Sequence, residues 1–365
     1  MCYSKSLLKK QSDFYLNTII FYISFLKNMY GFSSFLTYLP FIFSQLHALL
    51  YYLLLIPQRH FVLLNNINFG NTVLNLTDIV PNIQNNRVLI VDSHFPYMNQ
   101  INETYYEPIY GGIPQYVNYT DFTKTIENSI EYNNLTTSYD GFIVFDTEKW
   151  TPIWETIPQI YQNMTINYTL GLYPELQKND ELLKSRSKEI WNFNSMDLLL
   201  KGIEIVRNKC PFSKIGYYGY PGMPYWGNKK DFEIASNHND ELFSLWNSVD
   251  VLLPSIYIPY ISTDDYNVFL NNYAYVERKI KESIRIKNIM ARQDIQILPY
   301  TWHRYHGPYD KYFLVKGDVY LEYKLPYTFE EIDGLILWSA ENKEQRMEDT
   351  KYWFENNTKL LESLI

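Results

Sequence analysis

The stretch GFIVFDTEKWTPIW, residues 141–154, is an apolar run that ends in two carboxylates and then in aromatic and proline residues. A run with no polar alternation behaves as a strand buried on both faces, the pattern of a parallel sheet covered by helices. Side chains alternate along a strand, so Asp146 and Glu148, two apart, point to one face. Two carboxyls held this close do not ionise independently, and one can remain a proton donor beside an ionised partner. Glycoside cleavage needs that division of labour, because one carboxyl must protonate the leaving oxygen. A pair on one strand approaches a sugar from one side, which suits a reaction in which the substrate's own 2-acetamido oxygen attacks the anomeric carbon.

Outward from this strand, similar apolar runs recur at 49–56, 87–92, 214–220, 250–257, 295–300 and 333–338. Between them lie helical patterns near 121–132, 153–163, 179–208, 239–247, 263–290 and 341–363. Strands alternating with helices predict an α/β chain, and seven such units favour a TIM-like (β/α) barrel, distorted and of seven or eight strands, over an open sheet. No glycine-rich phosphate loop follows any strand, so nucleotide binding lacks its usual cradle. A barrel places its chemistry at the C-terminal strand ends. Those ends carry Asp92, Asp146, Glu148, Tyr217, Tyr218, Tyr220, Tyr257, Tyr260, Tyr300, Trp302, His303, His306 and Trp338.

The barrel is expected over residues 49–365, with a hydrophobic segment at 1–48 before it. Residues 28–58 contain no Asp, Glu, Lys or Arg, and Lys5, Lys9 and Lys10 stand upstream. Such a run exceeds the roughly 20 residues that span a bilayer, and predicts a signal peptide or signal-anchor. Seven Asn-x-Thr sequons, at Asn75, Asn102, Asn118, Asn134, Asn163, Asn167 and Asn356, are possible glycan acceptors downstream of it. Together they place the barrel in the secretory pathway, whether extracellular, in a lysosomal or vacuolar lumen, or membrane-anchored with a lumenal domain. Two cysteines, Cys2 and Cys210, provide neither a disulfide framework nor a thiolate zinc site. A net charge of -8 offers no basic stripe for nucleic acid. Thirty-five Tyr and eight Trp supply flat faces that suit stacking against sugar rings. His303 and His306 have no evident third ligand, so neither metal nor cofactor is expected, and nothing in the sequence calls for more than a monomer.

The D-x-E-x-W-x-P pattern of 146–152 resembles the catalytic segment of the hyaluronidase family, the bee-venom and mammalian sperm type of glycoside hydrolase. Five further segments resemble that family in the same order: YGGIPQYVN (110–118), IGYYGYPG (215–222), DVLLPSIYIPY (250–260), QILPYTWHRYH (296–306) and DGLILWSAEN (333–342). The resemblance covers about 49–360. It implies that Glu148 is the general acid/base, that Asp146 orients and stabilises the acetamido group, that Tyr218 and Tyr257 are the active-site tyrosines, and that Trp338 packs beneath the N-acetyl group. Where the family usually has W-R-P, this chain has Trp150, Thr151 and Pro152, and the family's usual disulfide cysteines are absent.

The activity so implied is a retaining endo-β-N-acetylhexosaminidase acting on hyaluronan or chondroitin-like chains. Asp92, Tyr220, Trp302 and Arg304 are candidate substrate contacts, with Lys149, Arg304 and the two histidines as the local positive charge that a polyanion needs. The alternatives are a chitinase-like glycosidase, which wants an Asp where Val144 stands, and a sugar-binding or adhesion protein on the same barrel.

Overall fold

The computed structural model describes residues 61–65, 83–84, 88–91, 95–263, 265–338, 348–350, 352–354 and 356–357. The expected hydrophobic segment at 1–48, the strand at 49–56, Asn75, Asp92 and most of the final helix lie outside the described residues.

Nine short parallel strands carry the fold among the described residues. Strands β1 (Phe61–Asn65), β2 (Ile83–Gln84) and β3 (Val88–Val91) come first, followed by an antiparallel hairpin of β4 (Tyr97–Gln100) and β5 (Tyr106–Ile109). Then come β6 (Phe142–Phe145), β7 (Lys214–Tyr217), β8 (Val251–Leu252), β9 (Gln296–Ile297), β10 (Tyr300–Thr301) and β11 (Gly334–Trp338). Strand β6 lies between β3 and β7, β8 pairs with β9, and β10, β11, β1 and β2 follow in that order. Single bridges, Tyr218 to Leu253 and Ser255 to Tyr300, join these pieces into one arc. The expected strands at 250–257 and 295–300 are shorter than the sequence predicts. Pro254 and Pro299 stand inside them, and a residue without an N–H interrupts the ladder. Among the described residues the arc is barrel-like, in keeping with the expected distorted barrel, and shows no pairing that closes it.

Helices α1 (Tyr119–Tyr132), α2 (Gln159–Leu172), α3 (Asp180–Lys209), α4 (Lys229–Asp240), α5 (Phe243–Ser248), α6 (Tyr266–Ile289) and α7 (Lys316–Tyr323) fall between the strands. Their starts have chemical causes. Asn118 accepts hydrogen bonds from the Thr120 and Asp121 amides, Asn179 from Leu182, and Asp265 from Asn267, so orphan N–H groups are satisfied at each N-terminus. Helices α4 and α7 and the β4–β5 hairpin are absent from the sequence-based expectation. For α4 a signal existed, since Asn228 and Asp231 form a reciprocal capping box.

Strand alternation sorts the core in two. Ile143 and Phe145 of β6 join the large cluster beneath the helices, with Trp191, Leu198 and Tyr217. Phe142 and Val144 instead meet Val251, Leu253, Leu298, Tyr300 and Ile336 in a second cluster on the inner face of the arc. Gly216 belongs to that inner face, where a Cβ would stand 2.7 Å from both the Val251 side chain and the Val251 carbonyl oxygen. No larger residue fits without moving backbone.

Candidate active site

The inner cluster predicts its own mouth. Continuing the alternation of Phe142 and Val144 past the end of β6 gives Asp146 and Glu148, while Thr147 between them is buried. Leu253 leads to Ser255 and Tyr257, Tyr300 to Trp302, and Ile336 to Trp338. Asp146, Glu148, Tyr257, Tyr300, Trp302 and Trp338 line one cavity of about 290 Å³ with Tyr218, Ile90, His306, Gly307 and Asp310. Asp146 is half-buried and Glu148 is exposed, so the pair stands at the boundary between core and cleft.

The aromatic walls are held by one another. Tyr257 stacks on Trp338 with centroids 6.0 Å apart, and Trp302 meets Trp338 edge-on at 5.2 Å. Tyr218 packs edge-on against Tyr300 at 5.0 Å, and its hydroxyl lies 3.2 Å from Ser255 Oγ. The Tyr218 and Tyr257 rings face each other with centroids 6.1 Å apart. Burial pushes the Tyr218 phenol well above its ordinary range, and the nearby negative charges of Glu148 and Asp146 push it further. Burial does the same to Tyr257. Both therefore remain O–H donors at any physiological pH.

Behind these walls stands a buried acidic layer that sequence reasoning missed. Glu322 of α7 accepts hydrogen bonds from Ile258 N at 2.7 Å, Thr301 Oγ1 at 2.7 Å and Trp302 N at 2.9 Å. It thus fixes the two strand ends that present Tyr257 and Trp302. Desolvation pushes its carboxyl up to about 8, against those same hydrogen bonds, which act to lower it. Asp318, one turn earlier, accepts from Tyr305 Oη at 2.6 Å and from the Ser262 hydroxyl at 2.8 Å. The available signal was the four-residue spacing of Asp318 and Glu322, which reads equally well as a solvated pair.

Two expected substrate contacts lie elsewhere. Tyr220 is buried in the outer core, edge-on to Tyr217 at 6.3 Å and tilted against Trp246 at 6.4 Å. Only Tyr218 of the three tyrosines takes the inward register. Arg304 is 2% exposed, with its guanidinium 3.9 Å above the Phe313 ring and NH1 donating to Lys311 O at 3.1 Å. It braces the loop after β10 and does not line the cavity. His303 is buried beside it, with Nε2 3.1 Å from Thr350 Oγ1. His306 is therefore the histidine of the WHRYH loop that reaches the cavity, beside Trp302. Asp310, which also lines it, was not anticipated.

Trp150 is core, donating from Nε1 to Pro96 O at 2.6 Å and meeting Trp191 edge-on. Thr151 faces its own loop, where its hydroxyl contacts that of Thr156 and its carbonyl accepts from Trp191 Nε1. Among the described residues one group has metal-binding spacing, Glu155, His238 and Glu241. It already holds a cation, because Lys188 Nζ lies 2.5 Å from Glu155 Oε1. No cofactor cradle is apparent among the described residues.

The hyaluronidase family profile matches residues 91–358. A hyaluronidase from Vespa magnifica is 30% identical over 278 residues, covering 71% of this chain and 72% of the relative. Hyaluronidase A of Vespula vulgaris is 30% identical over 262 residues, covering 67% and 73%. The structure of bee venom hyaluronidase superposes with a TM-score of 0.71 at 20% identity, over 83% of this chain and 99% of that one. The same enzyme solved with a hyaluronic acid tetramer gives 0.72 at 21% identity, over 81% and 96%. The fold is thus the TIM-barrel-like one of that enzyme, and the chain belongs to the hyaluronidase family of glycoside hydrolases.

Proposed function

We propose that the protein is a retaining endo-β-N-acetylhexosaminidase that cleaves hyaluronan or a chondroitin-like chain with participation of the substrate acetamido group. The observation that carries this reading is the placement of Asp146 and Glu148 on one wall of a cavity whose other walls are Tyr218, Tyr257, Trp302 and Trp338. Family membership supplies the substrate class.

In the first step the acetamido carbonyl oxygen attacks the anomeric carbon while Glu148 gives its proton to the departing glycosidic oxygen. The C1–O bond breaks, and an oxazolinium ring carries the positive charge. Asp146, ionised, stabilises that charge and orients the acetamido N–H. Tyr218 and Tyr257 act as neutral O–H donors to the acetamido and ring oxygens, and Trp338 floors the methyl group. In the second step water attacks the anomeric carbon, Glu148 takes its proton, and the acetamido group re-forms with net retention.

The exposed histidine His306 is the contact assigned to a uronate carboxylate. Asp92 keeps its place as a candidate contact on the strength of its position after β3. The protein acts in a lumenal or extracellular compartment as a monomer, anchored or exported by its N-terminal hydrophobic segment. In support, all six sequon asparagines among the described residues are exposed. Among the described residues no helix is long and apolar enough to cross a membrane.

The test is release of reducing ends from hyaluronan, chondroitin and chitin oligomers between pH 4 and 7, with the Glu148→Gln variant alongside. Product from hyaluronan or chondroitin that disappears in Glu148→Gln is expected. Binding without product at every pH would make the protein a sugar-binding module, and product from chitin alone would make it a chitinase-like enzyme.

A further inference from the structure

A cavity of about 290 Å³ holds the reacting sugar and leaves the rest of a polymeric substrate on the surface. At its rim, Gly307 and Asp310 bracket the 3₁₀ turn Gly307–Tyr309. From Tyr309 a chain of aromatic rings leads outward. Tyr309 lies 6.3 Å from Tyr260, and Tyr260 lies 5.5 Å from Trp226, centroid to centroid. Trp226 is 57% exposed, whereas Trp150, Trp154, Trp191, Trp246, Trp302 and Trp353 are buried.

This exposed indole is held in place. Its Nε1 donates to Tyr260 Oη at 3.3 Å, and Tyr225 packs edge-on against it at 4.6 Å. Tyr225 is in turn fixed at both ends, since its hydroxyl donates to Asn272 Oδ1 at 2.6 Å and its carbonyl accepts from Arg278 NH2 at 2.9 Å. Asn272 is fully buried and also donates to the Tyr260 carbonyl at 2.8 Å and to Asp318 Oδ1 at 3.2 Å. One buried amide therefore positions both Tyr225 and Tyr260. On the other side of Trp226, the Asn228–Asp231 capping box anchors the chain at the start of α4. A pre-ordered aromatic surface loses little conformational freedom when a ligand stacks on it.

We propose that Tyr309, Tyr260 and Trp226 form an extended sugar-stacking subsite that binds units of the glycan chain beyond the one undergoing cleavage. The occupant is the same polysaccharide, because the ring chain starts at the rim of the reaction cavity and runs outward without a break. The inference rests on the glycosidase reading of that cavity.

The experiment compares wild type, Trp226→Ala and Trp226→Tyr on polymeric hyaluronan and on the shortest hyaluronan oligosaccharide that the wild type cleaves. For Trp226→Ala, KM for the polymer should rise about three- to tenfold, the effect of losing one stacking contact of about 0.5–1.5 kcal/mol. The kcat, the KM for the short substrate and the melting temperature should stay within twofold or a degree, and Trp226→Tyr should recover most of the polymer KM. Equal loss on short and long substrates, or a polymer KM that moves less than twofold, overturns the proposal. So does a shift from dimer to monomer on gel filtration without a change in KM, which would make the patch a contact between copies. Should the wild type release no product, the glycosidase reading fails. Fluorescence quenching of the indoles by long hyaluronan oligomers, present in wild type and lost in Trp226→Ala, would then still decide the subsite.

Discussion

The molecule contains two acidic pairs that look alike on paper and do opposite things in space. Asp146 and Glu148 stand two residues apart just past a strand, half-buried and exposed, with a cavity in front of them. Asp318 and Glu322 stand four apart on α7, both with no exposed surface, and their oxygens are taken up by Tyr305, Ser262, Asn272, Ile258, Thr301 and Trp302. The buried pair is saturated with protein donors and holds the aromatic walls. The open pair lines the cavity, where a substrate can reach it. Carboxylates are thus sorted into chemistry and scaffolding by what surrounds them, and spacing alone does not distinguish the two.

The largest expected effect breaks the comparison at its open end. Glu148→Gln should lower kcat by about 10²- to 10⁴-fold, the usual contribution of a positioned acid/base, with the melting temperature unchanged because the side chain is exposed. Asp146→Asn should fall in the same range. Asp310→Asn, the third carboxylate of the cavity, should keep more than a tenth of kcat. A reversed order, with Asp310 essential and Asp146 dispensable, would mean that a protein carboxylate across the ring is the nucleophile and that the acetamido route is wrong.

At the buried end the loss should appear in stability first. Glu322→Ala leaves the Ile258 and Trp302 amides and the Thr301 hydroxyl without an acceptor, which costs about 3 kcal/mol or more and lowers the denaturant midpoint. Glu322→Gln tests its protonation. In the folded protein burial keeps the proton on Glu322 up to about pH 8, whereas the unfolded chain releases it near 4.5. Between those values folding takes up a proton, so this group makes stability fall as pH rises from about 4.5 to 8. Melting temperatures measured across that window should decline in the wild type and flatten in Glu322→Gln. An unchanged slope would show that Glu322 is ionised throughout and held by its three donors.

The open pair was legible in the sequence and the buried pair was not, for a physical reason. GFIVF announces a strand by its continuous apolarity, and period-two alternation then carries Asp146 and Glu148 to the inner face without further information. Their place at barrel strand ends pointed to Tyr218, Tyr257, Trp302 and Trp338, and the family resemblance gave Tyr218, Tyr257 and Trp338 their roles. The strand-end reading failed at Tyr220, which follows Gly219 at φ +83°, where the backbone leaves the strand and the alternation resets. At Arg304 charge suggested a contact for a polyanion, while a stacked Phe313 and a backbone carbonyl supplied a buried site. Helix α7, with the sequence KGDVYLEY, carries two acids and a glycine in eight residues and has no strong amphipathic pattern. Its identity is set by long-range acceptors on strands that the local sequence does not show. The strands from β3 onward were recovered apart from the hairpin, β1 and β2 were not expected, and the interruptions at Pro254 and Pro299 were visible as residues without being read as breaks.

The smallest expected effect sharpens the open site by its charge. Of the described side chains that line the cavity, Asp146, Glu148 and Asp310 are acidic, and His306 is the basic one. A uronate carboxylate entering among three acids has His306 as its favourable partner among the described residues, at an exposed position where an ion pair contributes about 0.2–1 kcal/mol. His306→Gln should therefore raise KM for hyaluronan no more than about fivefold, leave kcat in place, and leave neutral chitin oligomers unaffected. The difference should shrink as salt is added, since screening acts on exposed charges. His306→Arg, permanently charged, should keep the wild-type KM. A loss of equal size on charged and neutral oligomers would show that His306 acts through its packing on Tyr257, 5.8 Å away, and that the uronate contact lies elsewhere.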